Sequence, residues 1–291
     1  MSKIKLITDS TCDLSEELLN AYHIKVIPLY VNFGEISYQD GVDLNTDQMY
    51  EQVEKRGVVP KTSAASPGDF EVIFKTYLKE DYDIIYLGIG SKFSATLQNA
   101  HLAKKMLESD RIHLLDSQNL SSGSGLLLLK AAQFIEAGDD AKTVAEKITA
   151  LTPYVRSQFI LDTLEYLHKG GRLKAISALV GTMIRLKPII RVINGEMAVG
   201  KKPKGKLRSG IKVLLNDVLK DKNIMDNDAI TITHSHADAH VDYIKTVLKQ
   251  ETKVRQIYET KAGCVISSHC GPKTIGVLYI VDPKKSRKKT D

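Results

Sequence analysis

The chain has 291 residues, 43% of them hydrophobic, and a formal net charge of +6 at pH 7, which makes it too apolar for disorder and long enough for two ordinary cores. The charge is not a nucleic-acid signature. Residues 282–291 hold five Lys and Arg against two Asp, half of the excess, and the other basic cluster (Lys201, Lys202, Lys204, Lys206, Arg208) has no interleaved aromatics in a chain without Trp.

The opening Lys3-Ile4-Lys5 runs into a strand-like segment without an apolar leader, and no apolar run reaches the ~18 residues a membrane span needs. A cytoplasmic protein without stable membrane insertion is expected. Cys12, Cys264 and Cys270 are odd in number and lack zinc or redox spacing, so buried structural thiols in a reducing compartment are expected.

In chain order, residues 3–8 read as a strand ending in Thr8-Asp9-Ser10-Thr11, and Asp13 with Glu16 predicts a helix over 14–21. Residues 24–33 read as one strand, irregular or at an edge because of Pro28. Asn45 and Gln48 open a helix towards Lys55. Ser66, Pro67 and Asp69 form a strong helix start as cap, first residue and capping partner. Thr62 and Ser63 precede that cap without being needed for it, which leaves their hydroxyls free to face a cleft.

Residues 84–89 are continuously apolar, as in parallel strands buried on both faces, and Leu97, Ala100 and Ala103 continue at helical spacing. Between them Gly90, Ser91, Lys92, Phe93, Ser94, Ala95 and Thr96 make a hydroxyl-rich loop at a strand's carboxyl end, where α/β sheets bind ligands. Ser94 is expected to cap the next helix among N–H groups that favour an anion. Taken alone, it could be a cap and nothing more. A strand over 111–116 ends in Asp116-Ser117, and Leu126 to Leu129 belong to a buried helix too short to span a membrane. A surface helix over 141–151 leads to Pro153, the expected boundary between an N-terminal α/β domain with a parallel sheet (1–153) and a C-terminal α/β domain (154–291).

The second half reads as a strand over 158–161 and a helix over 163–169 stopped by Gly170-Gly171, with Arg172 next, by itself an ordinary solvated turn arginine. A helix over 178–186 is ended by Pro188, and strands over 189–193 and 196–199 flank Asn194-Gly195, a hairpin signal. Amphipathic helices over 207–219 and 237–248 surround a strand over 229–233. A segment over 255–259, a loop over 263–273 and a strand over 275–281 close the chain.

Three constellations carry possible chemistry. His234, His236, Asp238 and His240 could converge on zinc as the centre of a metal-dependent hydrolase, although Ser235 with Asp238 explains part of the run as a helix cap. A hydrolytic triad of Ser94, His269 and Asp116 or Asp9 lacks the glycine-flanked elbow that exposes such a serine. No phosphate-cradling glycine loop follows a strand, which disfavours nucleotide binding. The third set is Thr62, Ser94, Thr96 and His269, neutral donors able to hold a carboxylate while apolar walls take a tail, with no cofactor.

Short stretches from end to end carry a resemblance. Ile7-Thr8-Asp9-Ser10-Thr11, Thr62-Ser63, Ser91-Lys92-Phe93-Ser94-Ala95-Thr96, Asp116-Ser117, Leu164-Glu165-Tyr166-Leu167-His168-Lys169-Gly170-Gly171-Arg172-Leu173, Lys187-Pro188 and His269-Cys270-Gly271-Pro272 stand in the order and spacing of one family. The chain thus resembles the DegV family of bacterial fatty-acid-binding proteins, including the acyl-carrying subunits of fatty acid kinase. The resemblance implies two α/β domains clasping a long-chain fatty acid such as palmitate in a tunnel at their interface. It implies Thr62 and Ser94 as hydroxyl donors to the carboxylate, with the Ala95 N–H and His269 beside them. Arg172 would stand at the mouth, where a fatty acid kinase catalytic subunit phosphorylates the bound acid; no catalytic residue, metal or cofactor is implied in this chain. Ala95 and Lys273 replace usual glycines: a left-handed backbone at Ala95 would be strained by its Cβ, and Lys273 would add a charge at the mouth.

Overall fold

The computed structural model describes residues 3–172 and 186–287, so the expected helix over 178–186 lies, apart from its last residue, outside the described residues. Seven strands precede residue 155: β1 (Lys3–Asp9), β2 (Lys25–Ile27), β3 (Tyr30–Phe33), β4 (Ile36–Gln39), β5 (Lys61–Ser63), β6 (Tyr82–Gly88) and β7 (Ile112–Asp116). Six follow it: β8 (Val155–Ile160), β9 (Ile189–Ile193), β10 (Glu196–Val199), β11 (Met225–Ser235), β12 (Gln256–Lys261) and β13 (Thr274–Val281).

The first seven make a four-stranded parallel sheet in the order β2-β1-β6-β7 and a small antiparallel sheet β4-β3-β5. The rest form a six-stranded mixed sheet, β10-β9-β8-β13-β11-β12. Two α/β units therefore meet, each organised on its own main sheet. The single strand expected over 24–33 is split by Pro28: lacking an N–H, it cannot extend the ladder. Before it Lys25–Ile27 pairs with β1, and after it Tyr30–Phe33 pairs with β4 and β5.

The continuous apolar run of β6 has the predicted cause. Ile84 and Tyr86 face Phe70, Phe74, Leu97 and Ala100, from the helices Pro67–Lys79 and Thr96–Leu107. Ile85 and Leu87 face the opposite layer, the helices Ser122–Glu136 and Ala141–Leu151. The helix Ser122–Glu136 is apolar nearly all round because it also packs on Val155, Leu278 and Ile280 of the six-stranded sheet. One core thus runs through both units. The far face of the larger sheet is covered by the helices Leu207–Val218 and Val241–Glu251.

Local signals held where they were purely local. Both capping boxes, Asn45 with Gln48 and Ser66 with Asp69, are formed. Asn194 and Gly195 take φ of 52° and 77°, the two positive values a tight two-residue hairpin turn needs. Two starts differ. Ser15, not Asp13, caps the helix Glu16–Ala21, because Asp13 is turned inward at φ 49° and buried. The amphipathic helix expected from 237 starts at Val241, after a short 3-10 turn Asp238–His240.

The segment 263–273 is not a loop: it contains the helix Cys264–Cys270, whose Cys264 and Val265 sit in the core of the first unit, with Ile7 and Phe70. Among the described residues, no helix is long and apolar enough to cross a membrane.

Candidate functional site

An apolar cavity of about 960 Å³, counting its open mouth, lies between the units. Its walls include Ile89, Phe93, Phe159, Leu167, Met197 and Leu278, and Thr62, Ser94, Arg172 and His269 all line it. Four of the five residues singled out from sequence, in separate parts of the chain, are thus brought to one space, and Ala95 is not among its lining.

Thr62 owes its direction to β5. The strand pairs Thr62 with Val31 and alternates, so that Lys61 and Ser63 are exposed while Thr62 turns inward. Its Oγ1 lies 2.8 Å from His269 Nε2, joining the small sheet of the first unit to the helix Cys264–Cys270. Burial, and then the nearby Arg172 charge, push the His269 imidazole down from 6.5 to about 4, so the ring is neutral at pH 7. Its Nδ1 is buried and has no hydrogen-bond partner among the described residues. Gly170 makes room for the ring: a Cβ there would collide with Nδ1. The Gly170-Gly171 pair, read as a helix stop, is therefore also the imidazole's seat.

Ser94 sits just before the helix Thr96–Leu107, not in its cap position, which Ala95 occupies. Ser94 still serves the helix end, accepting the Thr96 N–H at 3.3 Å and pairing with Thr96 Oγ1 at 2.7 Å. Ala95 has φ −75° and ψ 2°, so the strain expected from its Cβ does not arise; its side chain is exposed and outside the cavity lining. The left-handed backbone falls instead on Lys273, at φ 60°, which is exposed and does not line the cavity, contrary to the expected charge at the mouth. Arg172 is exposed at the lining, its Nη1 donating to Gly170 O at 3.1 Å.

The hydrolase readings do not survive. Asp9 accepts bonds from Thr11, Tyr86 and the Ile89 N–H, and Asp116 from Ser91 and the Gln118 N–H, while His269 is bonded to Thr62. Neither carboxylate orients the imidazole. The histidine run does not converge either. His234 is buried at the end of β11 with its Nδ1 accepting the Ala237 N–H, His236 turns away at φ 46° to reach Asp47 at 2.7 Å, and His240 lies beyond, in the 3-10 turn. Among the described residues no group of three or more His, Cys, Asp or Glu side chains could hold a metal. Ser235 is no cap: its Oγ bonds Tyr50 and Ser267. The thiols are free and buried, and burial pushes Cys12 and Cys270 up to about 12, which leaves them protonated and unreactive.

The sequence reading missed most of the cavity wall. Phe159, Met197 and Leu278 lie on strands and look like any core residue. Ser121, Thr233 and Thr274 also line the cavity, but their hydroxyls are engaged by Asp13, by Ser122 and Thr260, and by Cys270 O.

A family profile described as "Uncharacterised protein, DegV family" matches residues 3–282. A DegV domain-containing protein of Clostridium acetobutylicum is 36% identical over 281 residues, which cover 96% of this chain and 99% of the relative. The fold is similar to that of a DegV family protein from Thermus thermophilus described by its fatty acid binding (28% identity, TM-score 0.89, 96% of this chain and 99% of that one). It is also similar to DegV of Bacillus subtilis, described as a fatty acid binding protein (26% identity, TM-score 0.83, 97% and 100% covered). With a profile match over nearly its whole length and a relative this similar from end to end, the chain belongs to the DegV family.

Proposed function

We propose that the protein is a cytoplasmic lipid carrier that binds one long-chain fatty acid between its two α/β units, residues 1–153 and 154–291. The carboxylate is held by the Thr62 and Ser94 hydroxyls and the Ala95 N–H, beside a neutral His269. The observation that carries this reading is the Thr62–His269 hydrogen bond of 2.8 Å inside a mostly apolar cavity. Uncharged donors orient an acid without the cost of burying a full counter-charge. The tail supplies affinity: about 14 methylenes at about 0.8 kcal/mol each give roughly 11 kcal/mol of gross driving force before ordering costs. The fatty acid binding described for the Thermus thermophilus and Bacillus subtilis proteins supports the same reading.

The chain itself has no catalytic role and needs no cofactor in this scheme. It presents the acid at Arg172 to a kinase subunit that supplies the ATP chemistry. Organic extraction of the purified protein followed by mass spectrometry should recover a long-chain acid in near-stoichiometric amount. Recovery of none, together with no uptake of added fatty acid, would overturn the reading. Arg172→Ala should keep the bound acid but slow acyl phosphate formation with the kinase subunit, and equal turnover would remove that role.

A further inference from the structure

Two carboxylates that the proposed function does not use stand at the opposite end of the helix Cys264–Cys270 from His269. Asp13 is 5% exposed and Asp40 3%, and neither forms an ion pair among the described residues. Burying a carboxylate is costly unless donors surround it. Here the donors are backbone N–H groups from the second unit. Asp40 accepts from Cys264 N at 2.8 Å and Val265 N at 3.2 Å, and from Ser10 Oγ at 2.9 Å. Asp13 accepts from Gly263 N at 2.8 Å and from the Ser121 hydroxyl.

These N–H groups belong to the cap residue Gly263 and to the first two residues of a seven-residue helix, which has no side-chain cap of its own because its cap residue is a glycine. The caps arrive from more than 200 residues away in sequence. The same helix is gripped at its other end, where His269 meets Thr62. Both grips belong to one frame. Asp40 directly follows β4, its own N–H bonds Leu29 O, and the Ser10 hydroxyl that donates to it accepts the Leu29 N–H; Leu29 leads into β3, which pairs with the β5 strand carrying Thr62. Between the grips the helix turns Val265, Ile266, His269 and Cys270 to the cavity.

We propose that Asp13 and Asp40 are positioning residues of the carboxylate site: they hold the helix Cys264–Cys270 by its first N–H groups and so set where His269 meets Thr62. The inference rests on the fatty-acid reading only for its binding readout. Its structural readout is the His269 ring, whose facing charged group is Arg172.

The test uses the full-length protein and Asp40→Asn, with NMR titration of His269 and the release rate of a fluorescent long-chain fatty acid. A folded, cooperatively melting variant should show the His269 midpoint moved up by about one unit and release roughly tenfold faster, as expected for the weakening of a buried hydrogen-bonded contact. A lowered Tm with the titration unmoved would show that the acid serves stability alone, and would overturn the proposal. If Asp40→Asn does not fold, Ser10→Ala and Ser121→Ala each remove one donor to a carboxylate and should shift His269 in the same direction; no shift in either overturns it equally. If the unmodified protein takes up no fatty acid, the carrier reading fails while the His269 titration still decides this one.

Discussion

The two polar walls of the cavity are held in opposite ways. The loop carrying Ser94 is fixed mainly by close neighbours: Ser94 bonds Thr96, two residues on, and Ser91 bonds Asp116, 25 residues on, at the end of the adjacent parallel strand, while the exposed Lys92 reaches the second unit, at Asn194 O and Glu196. The helix carrying His269 is fixed by partners 207, 224 and 250 residues away, namely Thr62, Asp40 and Asp13. The hydrogen bonds that hold Ser94 itself therefore close within the first unit. The His269 wall exists only when the two units dock, and any loosening of the interface is felt there first.

Three measurements would break or sharpen this contrast. The largest effect belongs to the docked helix. Because the folded His269 titrates at about 4 and an unfolded histidine near 6.5, the folded state binds its proton less readily. The His269 contribution to stability should be full above pH ~6.5 and be lost, by roughly 3 kcal/mol, as the pH drops through about 4. Denaturant melts across that range should show the loss, and His269→Gln should flatten it. An identical pH profile for both proteins would mean that the helix is not seated as described.

The Ser94 wall should respond more modestly. Ser94→Ala removes the acceptor for the Thr96 N–H, at about 1 kcal/mol of stability, and weakens fatty-acid affinity about tenfold with little change in its pH dependence. Unchanged affinity in both Ser94→Ala and Thr62→Ala would remove the carboxylate site.

The smallest effects should have opposite signs at Ala95 and Lys273. Ala95 has an ordinary backbone, so Ala95→Gly should cost about 0.5 kcal/mol through lost chain stiffness. Lys273 is left-handed, and Lys273→Gly should gain about 1 kcal/mol. A paired comparison of Tm checks both, and a gain at Ala95→Gly would contradict the backbone found there.

Much of this architecture is legible in the order of the residues alone. The capping boxes at Asn45 and Ser66, the doubly buried strand β6 and the Asn194-Gly195 hairpin each depend on residues within a few positions of one another. Thr62, Ser94, Arg172 and His269 are legible as candidates, Arg172 through family resemblance, and all four line one cavity. What stays hidden has a common cause. The separate sheet that β3 joins after Pro28, the inward turn of Asp13 and the helical state of 264–270 are decided by partners remote in sequence. A seven-residue helix cannot support itself in water, and no apolar periodicity marks it. Burial against the first unit and two distant carboxylates supply the stability that its own residues lack. The sequence by itself thus determined the elements whose hydrogen bonds close locally. Only the tertiary structure decided where the second wall of the site stands, because its donors find their acceptors across the interface.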